Sequence, residues 1–192
     1  MAKANVLSDK EIKRLVTHQK GQKYEKRNIA LLMTSFYLGL RAKEMSELRI
    51  DQFLDGNGNL VDVLVLRKNQ TKGTKERHLY LTNKTLRKSL DEYIEERKKQ
   101  DTCFGMLFRS QVNHKFSPNS MQMIFKKMYR QVGLEGCSSH SGRRSFATKM
   151  IQNGIDIKSV QILMGHSSIL TTSIYVQDNP YLLADISKRL RY

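Results

Sequence analysis

The chain has 192 residues, and its 34 lysines and arginines against 18 acidic residues give a formal net charge of +16 at pH 7. That length fits one domain. Hydrophobic residues make up 39% of the sequence, and no apolar run is long enough to span a membrane. The N-terminus does not resemble a secretory signal. The positive excess indicates a polyanionic partner, and its spread along the whole chain favours nucleic acid over an anionic membrane surface.

The N-terminal part of the chain predicts three helices. Ser8 and Glu11 have the spacing of a capping box, so a helix is expected over 8–18. The apolar content of residues 25–38 predicts a mostly buried helix, and AKEMSELRI (42–50) predicts a short amphipathic one.

A small antiparallel sheet is predicted next. Turn residues at 55–59 precede a segment rich in branched residues (60–68), and a second turn at 70–74 precedes the alternating segment 76–81. The two segments form a hairpin with a lysine-bearing turn at its tip.

Helical periodicity returns in the C-terminal half. Six further helices are expected: 83–99, one capped by Ser117 with Pro118 at its first position, 140–152, 156–164, 168–177 and a last one beginning at Pro180. The predicted fold class is therefore mainly α with a small antiparallel β-sheet (α+β).

The sequence contains no motif that indicates a metal site or a nucleotide-binding site. No pair among the five histidines has ligand spacing on a helix, no acidic cluster suggests a two-metal site, and no P-loop is present. We expect no cofactor and no metal. Cys103 and Cys137 lack partner spacing, which indicates reduced thiols and a cytoplasmic protein, associated with the nucleoid when bound to DNA.

The stretch HSGRRSFATKM (140–150) concentrates positive charge. His140 and Arg143, three residues apart, share a helix face, whereas Arg144 is expected to point elsewhere. Alone, the stretch fits a solvated basic helix or passive phosphate contacts better than it fits a site for a charged transition state.

Four segments, taken together, decide between these interpretations. They are GLRAKEM (39–45), TKGTKERHLYL (71–81), HSGRRSFAT (140–148) and LMGHSSILTTSIY (163–175). In this order they resemble the catalytic domain of the tyrosine recombinases, the integrase family of site-specific DNA recombinases, over about residues 7–176. One departure is Gly142, where the family has leucine; glycine removes a packing anchor and costs a helix about 1 kcal/mol relative to alanine.

The resemblance implies a role for each matching residue. Arg41 and Arg143 would form the phosphate clamp, and Tyr175 would be the nucleophile. His140 would accept the proton of the nucleophile, and His166 would donate a hydrogen bond to a non-bridging oxygen. Lys72 would be the general acid, and Glu44 would orient the site. DNA would be cleaved and rejoined through a 3′-phosphotyrosyl intermediate during integration, excision or inversion, without ATP.

The resemblance also carries expectations about organisation and partners. Residues 1–192 form one catalytic domain, with an N-terminal tail (1–7), a C-terminal tail helix (177–192) and no N-terminal core-binding domain. The chain is then either a naturally short recombinase or an excised part of an integrase. Expected partners are double-stranded DNA, further copies of the chain in a tetrameric synapse, and accessory DNA-bending proteins. The tail helix packs on its own domain or docks on a neighbouring subunit.

Two other functions remain open from the sequence. A type IB topoisomerase uses a similar set of arginine, lysine, histidine and tyrosine, but the G-H-S-S segment and the small size argue against it. A catalytically silent DNA-binding module would have no reason to keep all the catalytic candidates.

Overall fold

The computed structural model describes residues 4–70, 76–100, 102–111 and 115–177. Within these ranges lie α1 (Asp9–Gln19), α2 (Glu25–Leu38), α3 (Ala42–Ser46), β1 (Val63–Leu66), β2 (Arg77–Tyr80), α4 (Lys84–Lys99), α5 (Pro118–Arg130), α6 (Ser139–Gln152), α7 (Ile157–Met164) and α8 (Leu170–Gln177). The mainly helical prediction with one small sheet is confirmed. The expected helix after Pro180 lies outside the described residues.

Side-chain capping fixes the starts of several helices. The Ser8 backbone N–H donates to Glu11 Oε2 at 2.8 Å and Ser8 Oγ accepts from the Glu11 N–H at 3.4 Å, which completes the predicted capping box. Ser117 Oγ accepts from the Ser120 N–H at 3.1 Å, with Pro118 at the first position of α5. These starts are set by neighbours in sequence, so the sequence predicts them well.

The helix predicted over 42–50 is shorter in the structure. It ends at Ser46, because the chain beyond it pairs with a distant segment: the Leu107 N–H donates to the Leu48 carbonyl at 2.7 Å. A long-range backbone contact here outweighs the local helical pattern.

The predicted hairpin forms as an antiparallel pair. Leu64 of β1 lies opposite Leu79 of β2, and Leu66 lies opposite Arg77. One face of the hairpin is buried, and it carries Arg77 as well as the leucines. The hairpin tip, residues 71–75, lies outside the described residues, and Lys72 with it.

The apolar core has two parts. The larger part joins α1 to α5 with the hairpin, and α2 is buried along most of its length. The smaller part, formed by α6, α7 and α8, contains Phe146, Ala147, Ile151, Val160, Met164 and Tyr175. The C-terminal end of α2, α3, β2, α6 and the C-terminal end of α7 meet between the two parts, and the candidate site lies there.

The described residues of the expected N-terminal tail are attached to the domain. Leu7 is 3% exposed, and its backbone N–H donates to Ser145 Oγ at 2.8 Å. The Asn5 N–H donates to the Gly136 carbonyl at 3.2 Å. No helix in the described part of the chain is long and apolar enough to cross a bilayer.

Candidate active site

Two helix ends aim backbone carbonyls at the same place. Helix α2 ends at Gly39 and α7 ends before Gly165, both with left-handed backbones at φ 58° and 62°. Glycine adopts this conformation without strain and turns the chain out of the helix. The last carbonyls of a helix have no intrahelical donor, so they can accept from a side chain. A Cβ on Gly39 would lie 2.6 Å from Phe146 Cδ1, so space as well as conformation requires glycine there.

Arg143 of α6 is held by those carbonyls. Its Nη1 donates to the Gly39 carbonyl at 2.6 Å and its Nη2 to the Met164 carbonyl at 2.7 Å. The residue is 4% exposed. Burial lowers the pKa of Arg143 to about 9, with the charge of Arg41 adding to the effect and Glu44 opposing it. The guanidinium therefore stays charged at neutral pH in a fixed orientation.

Glu44 of α3 is the carboxylate at the centre of the site. Its Oε1 accepts from Arg41 Nη1 at 2.8 Å and its Oε2 from Arg77 Nη2 at 2.9 Å, while Arg143 Nη1 lies 3.9 Å from Oε2. Burial alone would raise the pKa of Glu44, but Arg77, the Arg41 backbone N–H and the other arginines hold it below its usual value. Glu44 is thus ionised and holds hydrogen bonds to the side chains of Arg41 and Arg77.

The two candidate histidines lie within the field of these arginines. His140 is exposed overall, but partial desolvation and then the charges of Arg143 and Arg41 lower its pKa. The same causes lower the pKa of His166 to about 4. His166 Nδ1 lies 2.8 Å from Thr172 Oγ1. Both imidazoles are therefore neutral near pH 7, the state in which a histidine accepts a proton or donates one hydrogen bond.

Tyr175 lies in the smaller apolar cluster and is 7% exposed. Its ring centroid is 6.4 Å from that of His166, with 11° between the planes. The structure therefore brings the candidate nucleophile beside one of the candidate histidines, with most of its surface covered.

Two arginines near the site are missed by the sequence prediction. Arg77 reaches Glu44 from β2, and the alternation of ERHLYL could have predicted its burial, because it puts Arg77 on one face with Leu79. Arg144, expected to point elsewhere, has its Cζ 6.0 Å from the centroid of the Tyr175 ring. Its proximity to Tyr175 follows from the packing of α8 on α6, which no local pattern reveals.

The arrangement is suited to binding an anion. The three arginines share a single carboxylate, so positive charge is in excess in a largely buried place. Arg41 keeps 28% of its side chain exposed, so part of the cluster remains open to solvent. Preorganised guanidinium groups in such surroundings stabilise negative charge more strongly than water does. No group of three metal-ligating side chains occurs among the described residues.

Comparisons with known proteins find similar sequences and similar structures. The sequence model of the Phage integrase family matches residues 5–181. The tyrosine recombinase XerC of Lactobacillus delbrueckii subsp. bulgaricus is 31% identical over 154 residues, which is 78% of this chain and 50% of that protein. The tyrosine recombinase XerA of Pyrococcus horikoshii is 32% identical over 171 residues, 89% of this chain and 56% of that one. The chain spans about half the length of the curated relatives it matches.

Solved structures give the same result. The crystal structure of XerA recombinase matches with a TM-score of 0.80 at 27% identity, over 100% of this chain and 68% of that one. The XerH site-specific recombinase, bound to its palindromic difH substrate in a post-cleavage complex, matches with a TM-score of 0.70 at 24% identity, over 97% of this chain and 53% of that one. At 24% identity, the match to XerH supports the fold alone.

Proposed function

The chain belongs to the Phage integrase family, and on that premise we propose that it cleaves and rejoins DNA at specific sites through a 3′-phosphotyrosyl intermediate. The observation that carries the proposal is the buried cluster in which Arg41 and Arg143 are fixed around Glu44 with an excess of positive charge. The net charge of +16 supports double-stranded DNA as the substrate, because lysines and arginines that neutralise phosphates dominate binding to DNA.

The arginines act on the charge that develops at phosphorus. Attack on a phosphodiester gives a pentacoordinate state whose non-bridging oxygens carry added negative charge, and donors that bind this state better than the substrate accelerate the step. Two carbonyls hold Arg143, yet its fork carries five N–H donors, so a phosphate is bound without loss of this support. Arg41 approaches from the exposed side and His166 adds a hydrogen bond.

Two proton transfers complete the cleavage step. The Tyr175 oxygen attacks phosphorus while neutral His140 accepts the phenol proton, and the 5′ oxygen of the deoxyribose leaves with a proton. By family resemblance Lys72 donates that proton; it lies outside the described residues. A 5′ hydroxyl of another strand then attacks the phosphotyrosyl bond and releases Tyr175, so the number of phosphoester bonds is conserved and ATP is not needed.

The position of Tyr175 supports its role as the nucleophile. Its ring lies in the α6–α8 cluster beside His166, and Tyr175 is close enough to Arg143 to affect the pKa of that guanidinium. Copies of the chain would act together on DNA, as a tetramer that exchanges strands between two sites, with accessory DNA-bending proteins assisting.

A covalent-capture experiment tests the function and identifies the DNA site at the same time. A library of nicked duplexes with a randomised central segment is incubated with the full chain. The nick makes the piece of DNA that carries the released 5′ hydroxyl short enough to diffuse away. Religation is then prevented, so the covalent complex accumulates. Complexes that survive SDS are isolated and their DNA is sequenced.

The proposal predicts adducts that share a sequence motif, disappear in Tyr175→Phe and persist in the control Tyr80→Phe, whose tyrosine is 53% exposed on β2. The absence of any adduct, or an adduct that persists in Tyr175→Phe, would overturn it. Adducts without a shared motif, together with relaxation of any supercoiled plasmid, would identify the topoisomerase alternative instead.

A further inference from the structure

Arg77 occupies a position in β2 where a leucine would serve the fold better. Leu79 and Leu81 follow on the same buried face, and Leu66 opposite Arg77 is fully buried. Arg77 is 6% exposed, and none of the described residues offers an acceptor to its Nε. A buried guanidinium with an unsatisfied donor is unfavourable for stability, so strand and core formation do not explain the residue.

The contacts of Arg77 lead to the phosphate clamp. Its Nη1 donates to the Met164 carbonyl at 2.6 Å, the same oxygen that accepts from Arg143 Nη2 at 2.7 Å. Its Nη2 donates to Glu44 Oε2 at 2.9 Å, while the other oxygen of that carboxylate binds Arg41. Arg77 therefore shares one acceptor group with each of the two arginines assigned to the clamp.

These shared acceptors fix directions as well as distances. A carbonyl oxygen has two lone pairs, and when Arg77 takes one of them, Arg143 is confined to the other. Glu44 is confined in the same way between Arg77 and Arg41. Glycine at position 165 allows the close approach, since a Cβ there would lie 2.8 Å from Arg77 Nη1.

We propose that Arg77 is a positioning residue that orients Arg143 and Arg41, through the Met164 carbonyl and the Glu44 carboxylate, for binding of the scissile phosphate. This inference rests on the proposed function. Arg77 itself does not touch the reacting atoms. Loss of comparable second-layer contacts at other sites lowers activity by about 10- to 100-fold.

The competing explanation is that Arg77 merely anchors the hairpin. Arg87 of α4 supplies a matched control, because it also fastens the hairpin, donating to the Leu60, Val61 and Leu81 carbonyls at 2.9, 3.2 and 3.0 Å, and these contacts lie away from the clamp. If anchoring is what matters, Arg87→Met and Arg77→Met will behave alike.

The experiment compares cleavage by wild type, Arg77→Met, Arg77→Lys and Arg87→Met on three nicked substrates carrying the sequence selected above. The first has a normal scissile phosphate. The second has a methylphosphonate, which lacks the charge that the clamp neutralises. The third has sulfur as the bridging 5′ atom, a leaving group that needs no proton. DNA binding and thermal unfolding are measured for each variant, and cleavage is assayed well below its unfolding temperature.

On the normal phosphate we expect Arg77→Met to cleave about 10- to 100-fold more slowly than wild type, with DNA binding changed by less than about threefold. The loss persists with the bridging sulfur and falls below about threefold with the methylphosphonate, where the clamp has less charge to stabilise. Arg77→Lys keeps the charge but not the planar fork and falls between wild type and Arg77→Met. Arg87→Met cleaves like wild type on all three substrates.

Equal losses on all three substrates, or losses matched by Arg87→Met, would reduce Arg77 to a structural residue. Recovery with the bridging sulfur alone would mean that Arg77 acts through the hairpin and the leaving group, and would equally overturn the proposal. A readout without DNA separates this inference from the proposed function. The arginine side-chain NMR signal of Arg143 should shift in Arg77→Lys, and an unchanged signal contradicts the inference whether or not wild type cleaves.

Discussion

Two physical effects lead to opposite predictions for the substitution Gly142→Ala. Glycine within a helix is unfavourable relative to alanine by about 0.8–1 kcal/mol, so helix propensity predicts that Gly142→Ala stabilises the protein. The packing of α6 on α2 predicts the reverse. An ideal Cβ at this position would lie 2.1 Å from Ser35 Oγ, 2.9 Å from Ser35 Cβ and 3.3 Å from the Ser35 carbonyl carbon.

The packing effect should prevail. A rotation of the Ser35 side chain relieves the contact with Oγ, but the contacts with Cβ and the backbone yield only if the two helices separate. Overpacking of this kind costs about 1–3 kcal/mol, so after the helix-propensity gain the net loss in the free energy of unfolding is up to about 2 kcal/mol. For a domain of this size each kcal/mol lowers the unfolding temperature by about 2–4 °C, which gives a fall of up to about 8 °C.

Thermal unfolding followed by circular dichroism measures the effect. Gly56→Ala is the control, because a Cβ at Gly56 meets no atom within 4 Å and its backbone is not left-handed. In a Ser35→Ala background, which removes the closest atom, Gly142→Ala should cost less than it does alone. An unfolding temperature of Gly142→Ala above that of wild type would refute the close-packing argument and leave helix propensity in control.

Two further predictions concern His166 and Arg97. The pKa of His166 is held at about 4 in the folded chain, whereas an unfolded histidine titrates near 6.5, so the unfolded state binds more protons between these values and stability falls as the pH drops through that window. His166→Asn should show a shallower fall of the unfolding temperature between pH 6.5 and 4, and an unchanged slope would contradict the shift. Arg97, which is 2% exposed, donates to the Leu107 and Phe104 carbonyls at 2.8 and 2.7 Å. Arg97→Met should lower the free energy of unfolding by about 3 kcal/mol in urea titrations while adduct formation stays at the wild-type rate under conditions where the variant is folded, and a selective loss of adduct would contradict its purely structural role.

Features that depend on neighbours in sequence could be predicted without the structure. The capping boxes and glycine stops place most helix boundaries, and the three-residue spacing of Arg41 and Glu44 makes their ion pair on α3 predictable. The lowered pKa values of the histidines could not be predicted, because they follow from burial beside arginines brought in from other helices. At Gly142 the sequence indicates only a lost anchor, and it is the contact with Ser35 that shows why a larger side chain is excluded.

The site combines arginines held by backbone carbonyls with a tyrosine carried on a separate short helix. Arg143 is held by carbonyls at the ends of two helices, where carbonyls have no intrahelical donor, so the backbone itself orients the guanidinium. Such preorganisation avoids a reorganisation cost during the reaction. Tyr175, in contrast, belongs to the smaller cluster at the last described helix, which exposes Leu170 by 74% and packs on α6 and α7. Under the proposed function, the anion site is therefore fixed before DNA binds, whereas the position of the phenol depends on how one short helix packs on α6 and α7.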